Sequence, residues 1–259
     1  MLNFEFLNLE TLNFFSNLFK KKEAYLPIDF SVFKTDMHSH LIPGIDDGSP
    51  DMEYTIMLIK EFKAMGYSKI ITTPHVMCDY YKNTPEIILG GLEKVREELK
   101  NRNIDIELLA AAEYNLDDGL EKLINEKQIL TFGENHVLFE LPFMQEPQNF
   151  QEIVFKFQTN GYKPILAHPE RYNYWHRNFE KFEEMKSKSV LLQLNLLSLT
   201  GHYGPDVKKI GEKLIDANLI DFVGTDCHRI EHLKILKDFS NSKYFNLLAK
   251  QENLFNKSL

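Results

Sequence analysis

The sequence predicts an α/β fold in which seven parallel strands alternate with helices and form a barrel. Three observations carry that expectation. Short, continuously apolar runs recur along the chain, as strands do when both faces of a parallel sheet are buried. Helical stretches separate the runs, which sets the class as α/β. Seven such units fit into roughly 200 residues, a spacing that suits a barrel better than an open sheet. No glycine-rich phosphate loop follows the first run, which weakens a dinucleotide-binding reading.

The elements follow in order. SVFKTDMHSH, residues 31–40, is the first run, with a helical stretch over 51–65 behind it. KIITTPH, residues 69–75, is the second, followed by the helical PEIILGGLEKVREELKNR. IELLAAAEY, residues 106–114, and HVLFELPF, residues 136–143, are the third and fourth. KPILAHPE, residues 163–170, VLLQLNLLSL, residues 190–199, and IDFVGTDCH, residues 220–228, complete the set. No repeat or low-complexity linker interrupts it. Residues 31–259 are therefore expected to form one barrel domain behind an N-terminal extension, residues 1–30.

Composition narrows the function. The net charge of −8 argues against a nucleic-acid partner. Two cysteines, Cys78 and Cys227, outside any CxxC spacing, fit a reducing compartment such as the cytoplasm. No apolar run is long enough to span a membrane. The extension is rich in Leu and Phe, but Lys20, Lys21 and Lys22 follow its apolar part rather than precede it, so no cleaved signal is read. It suits a helix with Leu7, Phe14, Phe15 and Leu18 on one face, docking on the domain, on a second copy or on a membrane surface.

The ionisable residues fall at the ends of the runs. His38 and His40 end the first, His75 the second, Glu113 the third and His168 the fifth; Asp226 and His228 end the seventh. Glu140 lies inside the apolar fourth, where a carboxylate must be paired or ligated. The C-terminal ends of barrel strands converge on one mouth, so topology alone brings these residues together. Histidines and carboxylates gathered at one point suit divalent transition metals. Their number exceeds the needs of one ion, and roughly two or three ions with bridging carboxylates suit phosphate-ester hydrolysis. His136, His176 and His202 are expected at the surface, and both cysteines in packing roles. Tyr172 and Trp175 suit either packing or stacking on a phenol ring, and CDYYKNTP, residues 78–85, is a candidate substrate-side loop.

HxH, TTPH, an isolated Glu, HPER and DxH, in this order, resemble the PHP (polymerase and histidinol phosphatase) superfamily. HSHLIPGIDDG with HPERY and GTDCH is similar to its bacterial protein-tyrosine phosphatase branch, associated with capsular and exopolysaccharide synthesis. The resemblance covers roughly residues 33–235 and implies a distorted, TIM-like (β/α)7 barrel with a trinuclear site holding manganese, iron or zinc. It implies metal ligands at His38, His40, Asp47, His75, Glu113, Glu140, His168, Asp226 and His228, with Asp47 favoured over Asp46. Glu113 matches the bridging carboxylate and Arg171 a phosphate-binding arginine, the two residues given catalytic roles. One departure stands out: Leu233 occupies the place of a second arginine, leaving Arg229 or Lys234 to substitute.

The implied activity is hydrolysis of phosphotyrosine by a metal-activated water, with a phosphotyrosine protein, such as a bacterial tyrosine autokinase, as partner. Alternatives are a histidinol-phosphate or other small phosphomonoester phosphatase, and a non-catalytic regulator of a polysaccharide tyrosine kinase. Membrane association through the extension or the kinase and homo-oligomerisation stay open.

Overall fold

The computed structural model describes residues 25–259; the helix expected with Leu7, Phe14, Phe15 and Leu18 lies outside the described residues. Among the described residues nine parallel strands form two sheets. β1 (Thr35–Asp36), β2 (Lys69–Thr72) and β4 (Glu107–Ala110) make the first, in the order β1-β2-β4. β3 (His75–Val76), β5 (Glu113–Asn115), β6 (His136–Glu140), β7 (Lys163–Ala167), β8 (Leu191–Asn195) and β9 (Phe222–Gly224) make the second, in that order.

The nine strands are seven runs. Only Thr73 and Pro74 separate β2 from β3, and only Ala111 and Ala112 separate β4 from β5. Hydrogen bonds carry the pairing through the breaks, from Thr73 N–H to Ser39 O (2.7 Å) and from Ala111 N–H to Thr72 O (2.9 Å). A parallel bridge between Ser39 and Cys227 brings the seventh run back against the first. Asp226 N–H donates to His38 O (2.8 Å) and His40 N–H to Cys227 O (3.0 Å) across that seam. The result is a distorted seven-run barrel whose ladders are interrupted rather than continuous.

Three of the runs are cut short by identifiable local structure. Residues 31–33 belong to a 3-10 turn, Phe30–Phe33, capped by Lys34, because the Asp29 carboxylate accepts the Ser31 N–H and starts a turn instead of a strand. The sixth run ends at Asn195, whose side chain accepts the Leu197 N–H (2.9 Å) and turns the chain into the 3-10 helix Leu196–Thr200. In the seventh the ladder covers only Phe222–Gly224, because Asp226 lies in the left-handed region (φ 49°).

Helices α1 (Met52–Ala64), α2 (Pro85–Asn101), α3 (Leu120–Asn125), α4 (Phe150–Thr159), α5 (Glu180–Ser187), α6 (Pro205–Asp216), α7 (Ile230–Phe239) and α8 (Lys243–Lys250) surround the strands. Local chemistry sets their starts: Asp51 caps α1 through the Tyr54 N–H (2.8 Å), and Thr84 caps α2 ahead of Pro85. Ile88, Leu92, Val95 and Leu99 give α2 one apolar stripe, which it buries. Phe30, ahead of the expected domain start, is buried against Tyr67 and Phe245, at ring distances of 5.9 and 6.1 Å. Among the described residues no helix is long and apolar enough to cross a membrane.

Two cores result. The larger lies between strands and helices. The smaller fills the barrel: Met37, Ile71, Ala111, Leu138, Ile165, Ala167 and Phe222, closed at the N-terminal end by Phe132. His136 starts β6 at that end and is buried against Phe132 and Phe222, not at the surface as its sequence position suggested.

Candidate metal centre

Side-chain alternation builds the site directly above the interior core. Two residues beyond Ala111 comes Glu113, and two beyond Leu138 comes Glu140, each on the inward face. His75 lies four residues past Ile71, and Asp226 four past Phe222, with the same parity. The first run differs. Its ladder stops at Asp36 and pairing resumes at Ser39, so alternation is not kept between Met37 in the core and His38 in the mouth. His168 and Asp226 are both left-handed, at φ 35° and 49°, a strained backbone that clusters at functional sites.

His38 Nε2 and His40 Nε2 lie 3.1 and 3.4 Å from Glu113 Oε2, and each lies 3.4 Å from Asp226 Oδ1. His75 Nδ1 is 3.2 Å from the same Glu113 oxygen and 3.4 Å from Glu140 Oε1. His168 Nε2 lies 2.9 Å from Glu113 Oε1 and 3.7 Å from Glu140 Oε2. Asp47 Oδ1 reaches His75 Nε2 (3.6 Å) and His228 Nε2 (3.4 Å). Despite these approaches, His38 Nε2, His40 Nε2, His75 Nδ1 and Glu113 Oε2 are buried with no aligned hydrogen-bond partner. Lone pairs so arranged converge on shared points in space rather than on each other. Three groups of donor atoms, each within 4.8 Å, result: His40, Asp47, His75 and His228; His38, His40, Glu113 and Asp226; His75, Glu113 and Glu140. The nitrogen and carboxylate donors fit divalent transition metals. Glu113 belongs to two groups, as a bridging carboxylate would. His168 is outside all three and borders the last through its two glutamate contacts.

Charge points the same way. Burial opposes ionisation of Glu113, but the imidazoles, His38 first, more than reverse it and hold the carboxyl well below the usual range. Glu140 has burial and then the Glu113 charge against it and is pushed well above that range. Burial works against the His40 cation too, yet Asp46 and the other carboxylates raise it well above the ordinary histidine value. Burial and then Arg171 push His168 down to about 4. The buried carboxylates thus favour the protonated forms of His38 and His40, while burial disfavours those of His75 and His168; bound cations would balance the carboxylates with all four imidazoles neutral.

Further side chains orient these groups. The Asp46 carboxylate meets His40 Nδ1 (2.8 Å) and accepts the N–H groups of His75 (3.1 Å) and Gly48 (3.0 Å). The two aspartates of the DDG turn therefore divide the work: Asp46 turns His40 toward the cluster, and Asp47 faces it. Gln193 Oε1 meets His38 Nδ1 (2.9 Å), while Asn195 Nδ2 donates to Asp226 Oδ2 (2.8 Å). His228 Nδ1 is tied to Asp226 O (2.9 Å), leaving Nε2 toward Asp47. Such contacts fix ring orientation in metal sites. The sequence reading missed Gln193 and Asn195, although the argument applied to Glu140, a polar residue within an apolar strand, applies to both. A glycine protects this packing: a Cβ on Gly224 would lie 2.6 Å from His38 Cβ and 2.8 Å from Gln193 Nε2.

Above the cluster opens a cavity of about 540 Å³. Arg171 lies on its wall, donating from a terminal nitrogen to Asp226 Oδ2 (3.0 Å) and held between Phe143 (4.8 Å) and Tyr203 (4.2 Å). Tyr81 stacks on His75 (5.7 Å, 11°) and, with Met77 and Tyr80, brings the 78–85 loop to the mouth. Tyr172 and Trp175 are fully buried and pack instead of facing it. Tyr172 braces two strand ends, accepting the Leu141 N–H (2.9 Å) and donating to Ala167 O (3.0 Å). Leu233 is buried in the core; Arg229 lines the mouth and Lys234 does not. His202 also lines the mouth, from an exposed position. Cys227 is buried, and burial pushes its thiol well up, unsuited to nucleophilic attack.

Comparison with known proteins agrees with this geometry. Residues 34–235 match the family model for capsular polysaccharide synthesis proteins of the CpsB/CapC type. Tyrosine-protein phosphatase YwqE of Bacillus subtilis is 29% identical over 83% of this chain and 84% of its own length. Putative tyrosine-protein phosphatase CapC of Staphylococcus aureus is 29% identical over 80% and 82%. A solved structure from work on YwqE of Bacillus subtilis and CpsB of Streptococcus pneumoniae, described as metal-dependent tyrosine phosphatases, superposes with a TM-score of 0.72. It is 26% identical and covers 85% of this chain and 95% of that one. The chain belongs to the CpsB/CapC family of capsular polysaccharide synthesis proteins.

Proposed function

We infer that the protein is a metal-dependent protein-tyrosine phosphatase acting in polysaccharide synthesis. The observation that carries the reading is the buried, unpartnered donor set of His38, His40, His75 and Glu113 beneath Arg171, in a chain whose relatives bear that name. The ligand set we propose is His38, His40, Asp47, His75, Glu113, Glu140, His168, Asp226 and His228, with Glu113 shared between ions.

When bound, divalent cations, manganese foremost, supply Lewis acidity toward phosphate and a water acidic enough to ionise near neutral pH. The chain's own residues do the rest. Asp46 and Gln193 keep the Nε2 atoms of His40 and His38 turned inward. Arg171, its plane fixed by Phe143 and Tyr203, offers the phosphate a charge-assisted donor. The exposed Arg229, which also lines the mouth, is the second cation available to it. The aromatic walls suit a phenol ring, and a tyrosine leaving group, with a pKa near ~10, needs little protonation. The substrate we favour is a phosphotyrosine protein such as a tyrosine kinase of the polysaccharide machinery, met in the cytoplasm, by the domain spanning residues 31–259.

The test is an assay of metal-stripped protein on p-nitrophenyl phosphate, a phosphotyrosine peptide and histidinol phosphate, with and without manganese. Manganese-dependent turnover favouring the phosphotyrosine peptide is expected. No metal-dependent activity on any substrate would refute the enzyme reading, and preference for histidinol phosphate would refute the tyrosine reading.

A further inference from the structure

A second concavity, about 440 Å³, lies beside the mouth. The same two segments build both. Arg171 and Tyr203 line the mouth, whereas Asn173, His176 and Arg177, and Asp206, Lys209 and Lys213, line the second groove a few residues further along each segment. On one side the two are tied by a hydrogen bond between His176 Nε2 and Glu170 O (2.8 Å).

The groove is cationic in a chain of net charge −8. Arg177, Lys209 and Lys213 are exposed, and no carboxylate of the described residues lies within ion-pairing distance of them. The nearest thing to a partner is the Phe179 ring, 5.8 Å from Lys213 Nζ. Lys209 and Lys213 stand four apart on α6, where like charges on one helix face repel and cost stability. Asp206 is the sole acid on the groove wall. Three unpaired cations converging on a concavity form an anion-binding surface that the reaction chemistry does not use.

We propose that this groove is a substrate-docking exosite that reads carboxylates or a further phosphate on the polypeptide flanking the reacting phosphotyrosine. The proposal rests on the phosphatase reading of the mouth. Arg177 lies six residues past Arg171 and Lys209 six past Tyr203, so a peptide that runs on from the mouth along these segments, advancing about 3.3–3.6 Å per residue, would carry its flanking acidic side chains towards the groove. Exposed ion pairs are individually weak, so selectivity comes from several acting together and fades with salt. The exosite therefore sets KM for acidic substrates and leaves small phosphate esters unaffected.

The test uses the full chain with manganese and three phosphotyrosine peptides, flanked by glutamates, by glutamines and by lysines. At low salt kcat/KM should favour the glutamate peptide by about tenfold, through KM, and the preference should shrink as salt rises. The triple variant Arg177→Glu, Lys209→Glu, Lys213→Glu should lose the preference, favour a lysine-flanked peptide, and hydrolyse p-nitrophenyl phosphate at the unaltered rate. Fluorescence anisotropy of the same peptides reads docking without turnover, so a failed phosphatase reading and a failed exosite give different results. Absence of a glutamate preference in the unaltered protein, or its persistence in the variant, would overturn the proposal. So would a variant that loses binding to phosphatidylglycerol vesicles while keeping its peptide kinetics, since the groove would then serve a membrane.

Discussion

Replacing Asp46 with Asn tests whether His40 is held as a ligand. The Asp46 carboxylate serves three donors: Oδ2 meets His40 Nδ1 and the His75 N–H, and Oδ1 accepts the Gly48 N–H. Asparagine preserves the volume but turns one oxygen into an NH2 group. Whichever way the amide lies, a donor then faces a donor, either at Gly48 or at His40 and His75. A buried donor left without an acceptor costs roughly 1–3 kcal/mol. The negative charge that favours the Nδ1–H form of His40 is lost as well. Residues that orient metal-bound histidines typically contribute about 10–100-fold in metal affinity, or about 1.4–2.7 kcal/mol. The manganese concentration giving half-maximal hydrolysis of p-nitrophenyl phosphate should rise by that factor, while activity at saturating manganese largely recovers. An unchanged half-saturating concentration would refute the inference that Asp46 positions His40 for metal.

Other substitutions probe the supports. Tyr172→Phe removes the hydroxyl joining Leu141 to Ala167 and should lower stability to urea by about 1–3 kcal/mol; an unchanged midpoint would mean that this brace is idle. Gly224→Ala places a Cβ against His38 and Gln193, so overpacking of about 1–3 kcal/mol should appear in metal-free protein, with weaker manganese binding in addition. If metal-free stability and manganese affinity are both unaltered, the close approach is not limiting. His136 has its pKa lowered, chiefly by burial and then by Lys163. The unfolded chain then binds the proton more readily, so stability is full above the ordinary value of about 6.5 and is lost as pH falls through the lowered one. His136→Gln should flatten the fall in urea midpoint between about pH 7.5 and 5.5; an identical slope in both proteins would contradict this.

Much of the mouth was legible because a parallel barrel sends every strand end to one place. Glu140 is the clearest case, since a carboxylate amid Val137, Leu138 and Phe139 needs a partner that the local sequence does not provide. Ladder lengths were less legible. Hydrophobicity extends the sixth run to Leu199, but the Asn195 side chain ends it by capping the turn that follows. The resemblance favoured Asp47 over Asp46 for the donor set, but that Asp46 would instead orient His40 was beyond the sequence, because two adjacent carboxylates differ only in direction once the turn is folded. The buried Tyr172 and Trp175 show the same limit: a pair of aromatics after Arg171 suits a cleft or a core until packing decides.

The most direct test of the central claim is the number of manganese ions bound by metal-stripped protein, measured by calorimetry and by elemental analysis after dialysis, with p-nitrophenyl phosphate hydrolysis followed in parallel. With three overlapping donor groups, two of which share Glu113, more than one ion per chain should bind, and activity should rise with occupancy. Glu113→Gln should lower both the stoichiometry and the rate. A single ion or none per chain, or unaltered stoichiometry and activity in Glu113→Gln, would contradict the account of a shared metal cluster.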